Sequence, residues 1–164
     1  MPVLFATVAL AFSASFFSTH LIDRFLTERI SLIGSLVGLE RTLNAGIAFG
    51  IDLPVVVLLI FIPVVLILLS LFAWKSRRNR MMALGFGLII GGALGNIVDR
   101  FDDGHVTDFI QIGWWPLFNI ADSCISIGVM LLLLLEWKRN SKSQIPNTKK
   151  ISNSKTHSES VEGF

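Results

Sequence analysis

The sequence predicts a mainly α membrane protein: four transmembrane helices, with a small extracytoplasmic β-element between the first and second. Three observations predict it. Hydrophobic residues make up 52% of the 164 residues and charged ones only 16%. The mean hydropathy of +0.68 exceeds what a soluble domain carries without a large exposed apolar surface. Four apolar stretches run to about 20 residues each, the length that crosses a bilayer, and cations gather in alternate connections between them. The same figures exclude a disordered chain and a disulfide-stapled secreted module. The single cysteine, Cys124, forms no internal disulfide, and a net charge of +2 gives no ground for a nucleic-acid partner.

The first span is expected from about Val3 to Ile22. No Lys or Arg precedes its apolar run, so it is read as a retained helix rather than a cleaved signal peptide. The second, about Leu53 to Trp74, is the clearest. The third, about Met81 to Val98, is rich in glycine, and the fourth runs from about Pro116 to Trp137. Each must satisfy its backbone internally, which demands a helix. Lys75, Arg77, Arg78 and Arg80 follow the second span, and Lys138, Arg139 and Lys142 follow the fourth. The connection from Asp99 to Trp115 instead carries Arg100 against Asp99, Asp102, Asp103 and Asp108. Positive connections stay in the cytoplasm, which puts both termini inside and the first and third connections outside. Trp74 and Trp137 then fall at the inner interface, Trp114 and Trp115 at the outer one, where amphipathic rings anchor.

Two segments do not span. The first connection, Asp23 to Asp52, holds the apolar stretches Ile30–Ile33 and Leu36–Leu43 with glycines and a serine interspersed, which predicts short strands or a hairpin. The stretch from Lys138 to Phe164 is rich in Lys, Ser and Asn and reads as a disordered cytoplasmic tail.

Polar residues within or at the ends of the spans are costly in lipid and are read as functional. Asn96, Asp99 and Arg100 share one face if the third helix continues through them, with Gly92 one turn below. Gly87, Gly91 and Gly95 form a separate stripe suited to close helix packing. In the fourth span Asn119, Asp122 and Ser126 share a face. A helix starting at Pro116 places Asp122 about 9 Å along it. Asp108, flanked by apolar residues, lies on the same outer side.

Two neighbouring carboxylates cannot both ionise easily, so such a pair shares a proton. That arrangement suits an aspartic protease, in which one carboxylate activates water and the other protonates the carbonyl. A metal site at Asp108, Asp122 and His105 lacks any established ligand spacing. Cys124 as nucleophile points about 200° away from Asp122 on a helix. A proton-coupled carrier remains the alternative, because intramembrane carboxylates also serve as relays.

The blocks Asn44–Gly50, Gly95–Arg100, Val106–Phe109 and Phe118–Asp122 occur together, in order and on one expected side. In this the chain resembles the bacterial signal peptidase II family of membrane aspartic proteases, over about residues 5 to 137. The resemblance implies a peptidase domain at 1–137 that removes signal peptides from diacylglyceryl-modified prolipoproteins, cutting just before the lipidated cysteine. It implies Asp108 and Asp122 as the catalytic dyad. Asn44, Asn96, Arg100 and Asn119 would line the site, with Asp99 in the same block and Asp23 at the outer end of the first helix. The first connection would be a cradle on the membrane. No metal or cofactor is implied. Membrane lipid and globomycin-class inhibitors are expected partners, with a monomer in the bacterial inner membrane and its active site near the outer face. One departure is Thr27, where family members often carry a lysine; Arg24 and Arg29 lie nearby.

Overall fold

A computed structural model describes residues 2–46, 55–76 and 79–143. The elements are α1 (Pro2–Phe25), β1 (Ile30–Ile33), β2 (Val37–Asn44), α2 (Val55–Ser76), α3 (Arg80–Asp103), β3 (Val106–Ile112) and α4 (Ile120–Ser143). α1, α3 and α4 are long and apolar enough to cross a membrane, and α2 carries a shorter apolar stretch, Ile60–Ser76. Residues 53 and 54 of the expected second span lie outside the described residues.

Within residues 1–132, α3 packs against both α1 and α4, and its glycines make this possible. A Cβ on Gly91 would come within 2.6 Å of the Val8 carbonyl oxygen and 2.7 Å of Ala11 Cβ, both on α1. A Cβ on Gly92 would come within 2.5 Å of the Ala121 carbonyl oxygen on α4. Two helix backbones therefore approach α3 on separate faces, as the small-residue stripe predicts for one of them. Leu4, Leu66, Ala73, Phe86 and Ile90 from α1, α2 and α3 form the buried cluster. Phe5, Leu10, Phe17, Phe61 and Leu71 point outward, each more than half exposed. Such an apolar exterior suits hydrocarbon rather than water.

α3 starts at Asn79, whose side chain accepts from the amides of Met81 and Met82 at 3.0 and 3.3 Å. It runs to Asp103, five residues past the expected end. It stops at Gly104, whose φ of 85° is readily adopted by glycine and whose amide returns to the Arg100 carbonyl. Asn96, Asp99 and Arg100 are thus all helical.

The hairpin read in the first connection is present as β1 and β2, and a third strand completes an antiparallel sheet of order β1-β2-β3. β3 pairs Thr42 with Asp108, Leu43 with Thr107 and Asn44 with Val106. This third strand, β3, lies in the stretch expected only as the connection between the third and fourth spans.

α4 begins later than the reading expected. Phe118 forms a bridge with Ile110, its carbonyl accepting from the Phe109 and Ile110 amides at 3.1 and 2.8 Å. The chain after Pro116 is held extended to Phe118, so the helix starts at Ile120. Asp122 therefore lies in the first turn rather than about 9 Å into the helix. At its far end α4 continues to Ser143 instead of stopping at Trp137. The rest of the expected tail, 144–164, lies outside the described residues. Residues 133–164 group as a second unit, in which Glu136 and Arg139 pair one turn apart.

Candidate active site

Asp108 comes from a strand and Asp122 from a helix, and three asparagines bring them into one network. Asn119 donates through Nδ2 to Asp108 Oδ1 at 3.0 Å and to Asn96 Oδ1 at 3.1 Å. Asn96 Nδ2 donates to Asp122 Oδ1 at 2.9 Å. Asn44 Nδ2 donates to Asp108 Oδ2 at 2.9 Å. The amide orientations follow from the other bonds each group makes. Asn44 Oδ1 accepts from the Gly46 amide at 2.9 Å, and Asn119 Oδ1 accepts from the Asp122 amide at 3.0 Å. Each Nδ2 is thereby left to face a carboxylate or another amide oxygen.

Asn119 and Asp122 also cap α4. The Asn119 amide donates to Asp122 Oδ2 at 3.3 Å while Asp122 donates its own amide to the Asn119 side chain. This is the reciprocal arrangement of a capping box, satisfying two amides that the helix leaves free. Asn119 is only 2% exposed, with both its donors and its acceptor used. Truncating it would strand several buried groups at once.

Asp108 is 4% exposed. Burial, with the charge of Asp122 adding to it, pushes the Asp108 carboxyl up to about 6 from the usual 3.8. The bond from Asn44, the Arg100 charge and the bond from Asn119 oppose that rise but do not cancel it. A carboxyl that titrates near neutrality can exchange a proton during a reaction.

Arg100 is buried, and its Nη2 donates to the Gly46 carbonyl at 2.5 Å while Nη1 reaches the Asn96 carbonyl at 3.4 Å. It thus ties the end of β2 to α3. Both of these bonds go to backbone carbonyls. The rest of the block Asn44–Gly50, residues 47–50, lies outside the described residues.

A cavity of about 1100 Å³ opens onto this network, lined by Asn44, Asn96, Arg100, Asp108 and Asp122. Ile62, Ala93, Ile125 and Ile127 give it apolar walls. One end of the cavity is therefore polar and the remainder is suited to hydrocarbon.

Two of the residues named from sequence stand behind the dyad. Asp99 accepts the Thr107 amide at 2.7 Å. Asp23 accepts the Thr107 hydroxyl at 3.1 Å and pairs with Arg41 at 2.6 Å. Thr107 and Arg41 were not singled out by the sequence reading, although Thr107 lies inside a quoted block. His105 bonds the Asp103 carbonyl through its ring at 2.9 Å. Cys124 packs beside Gly92.

Comparison with known proteins agrees with this architecture. The family described as signal peptidase (SPase) II matches residues 7–138. A lipoprotein signal peptidase of Syntrophomonas wolfei is 46% identical over 110 residues, covering 66% of this chain and 73% of that one. One from Pelodictyon phaeoclathratiforme is 34% identical over 155 residues, covering 84% of this chain and 92% of its own. A bacterial membrane enzyme solved by the in meso method at 2.3 Å superposes with a TM-score of 0.83 at 27% identity, over 90% of this chain and 94% of that one. Membrane-crossing helices, a small sheet and a largely apolar cavity that carries a polar network define a mainly helical membrane enzyme. More narrowly, the chain belongs to the signal peptidase II family and is a protease that removes signal peptides.

Proposed function

We propose that the chain cuts diacylglyceryl-modified prolipoproteins just before the lipidated cysteine, with Asp108 and Asp122 as an aspartic dyad. Removal of signal peptides from prolipoproteins is supported by relatives of that name at 34 to 46% identity. The observation that carries the catalytic assignment is the linkage of both carboxylates through Asn119 and Asn96 at the polar end of the cavity. The pair holds one proton. The ionised carboxylate takes a proton from water, whose oxygen attacks the scissile carbonyl carbon. The protonated partner donates to the carbonyl oxygen, giving a neutral gem-diol. Collapse of that intermediate breaks the C–N bond. The leaving amine gains a proton, the new carboxyl group stays on the signal peptide, and the dyad returns to one proton. Asn44, Asn96 and Asn119 hold the carboxylates in place through these proton transfers.

In this reading all four helices span the bacterial inner membrane as a monomer, with residues 1–137 the peptidase domain and 138–164 a cytoplasmic tail. The cluster Lys75, Arg77, Arg78 and Arg80 supports a cytoplasmic α2–α3 connection, which puts the sheet and dyad near the outer face. The acyl chains of the substrate stay against lipid and the apolar cavity walls. Globomycin-class inhibitors occupy the same cavity.

The test is a gel-shift assay on a lipidated prolipoprotein and its unmodified form, with and without chelator. Wild type is expected to cut only the lipidated form, with or without chelator. Asp108→Asn and Asp122→Asn should each lose about 10³-fold in rate while remaining folded. Full activity in either variant would remove the dyad assignment, and cutting of the unmodified form would remove the lipid requirement.

A further inference from the structure

Thr107 precedes Asp108 on β3 and is only 3% exposed. Its two donors both go to carboxylates from other elements. Its amide meets Asp99 Oδ2 of α3 at 2.7 Å, and its hydroxyl meets Asp23 Oδ1, from the end of α1, at 3.1 Å. Arg41 of β2 holds the same Asp23 oxygen at 2.6 Å. Four elements therefore converge one residue from the dyad.

The ladder holds Val106, Thr107 and Asp108 on β2 at Asn44, Leu43 and Thr42, but its regular pairing ends there. The β2–β3 register shifts between Leu39 and Thr42, immediately beside the Thr42–Asp108 pair. On its other side β3 has only the bridge from Ile110 to Phe118 among the described residues. Consecutive strand residues point to opposite faces. Thr107 is thus anchored on the face away from the cavity that Asp108 lines. Both donors of Thr107 are thus taken up by side chains of other elements.

We infer that Thr107 is a positioning residue, whose hydroxyl on Asp23 and amide on Asp99 fix the backbone from which Asp108 reaches the cavity. Asp108 meets Asn44 and Asn119 at 2.9 and 3.0 Å, so a small backbone displacement disturbs both bonds. Displacement by about 1 Å costs an enzyme about 10²-fold in rate, and losing one of two anchors should shift the strand by less. The inference rests on Asp108 being catalytic.

Kinetics of the full purified chain on a lipidated prolipoprotein test it. Thr107→Val keeps size and branching but removes the hydroxyl donor. It should lower kcat about tenfold, leave KM within about twofold, and leave the thermal midpoint near that of wild type. Thr107→Ser restores the donor and should recover kcat to within about twofold of wild type. In an Asp23→Ala background, Thr107→Val should cost less than about a further twofold, because its partner is already gone. Should Thr107→Val not fold, Asp23→Ala carries the same kcat test from the other side of the bond. Wild-type kcat in Thr107→Val, a serine variant as impaired as the valine one, or a full tenfold loss added in the Asp23→Ala background would each overturn the inference. Asp108→Asn run alongside separates the two ideas. If it is inactive while Thr107→Val is normal, only the positioning role falls; if it is active, the dyad reading falls too.

Discussion

The two sides of α3 satisfy their polar groups in opposite ways. Towards α1, the hydroxyls of Thr7 and Ser15 return to carbonyls of their own helix, at Val3 and Ala11, both at 2.8 Å. Contact across that seam is a matter of shape, with Gly87, Gly91 and Gly95 admitting the neighbouring helix. Towards α4 and the sheet, Asn96 bonds Asp122, Asn119 bonds Asp108, and Arg100 bonds the Gly46 carbonyl. Each of those bonds crosses from one element to another. The first seam therefore governs whether the bundle holds together. The second governs whether the site is correctly assembled, and there a change of one atom affects several partners.

Asn119→Ala should break this contrast most sharply. Removing two bonds between elements should lower kcat by about 10²-fold, while the lost cap costs about 1 kcal/mol of stability and the buried groups left unpaired about 1 to 3 kcal/mol more. Kinetics and thermal unfolding of the same sample check both. A fall in stability without a fall in kcat would make Asn119 a cap alone.

The next largest effect is a dependence of stability on pH. Burial raises Asp108 from 3.8 to about 6, so the folded chain binds that proton more tightly than the unfolded one. The stabilisation is fully present below pH 3.8 and is lost as pH rises through about 6. The loss is at most about 3 kcal/mol. Chemical unfolding in detergent should show it in the wild type and not in Asp108→Asn. Equal slopes in the two proteins would mean that Asp108 is not the group responsible.

Gly91→Ala probes the other seam. Its Cβ would lie 2.6 Å from a backbone oxygen, so α1 must move away. Overpacking of this kind costs about 1 to 3 kcal/mol. The thermal midpoint should fall while kcat of the folded fraction stays near wild type; a selective loss of kcat would show that the seams are coupled. Ser15→Ala should do least. It removes a bond local to α1 and retains the Cβ that meets Gly95, so less than about 1 kcal/mol is expected by thermal unfolding. A larger loss would mean that the hydroxyl contributes more than its local bond.

The helices were legible because long apolar runs leave few alternatives, and the β1–β2 hairpin because turn residues separate two apolar stretches. β3 was not. Its run Val106–Ile112 is rich in β-branched residues, but Asp108 and its place between two spans made it look like a connection. The start of α4 was misplaced because Pro116 resembles a first helical residue. The bridge from Phe118 to Ile110, a tertiary contact, keeps the chain extended there. The polar face of α3, Asp99 included, was legible from spacing, whereas Asp23 entered only through family resemblance. Their partner, Thr107, is 84 and 8 residues away in sequence, and no local pattern records either bond.

The capping box at Asn119 and Asp122 makes one pair of side chains answer for two tasks, beginning a helix and, in the mechanism proposed above, supplying and holding a carboxylate of the dyad. A slip of one residue in where α4 begins would turn Asp122 by about 100° and unmake the site.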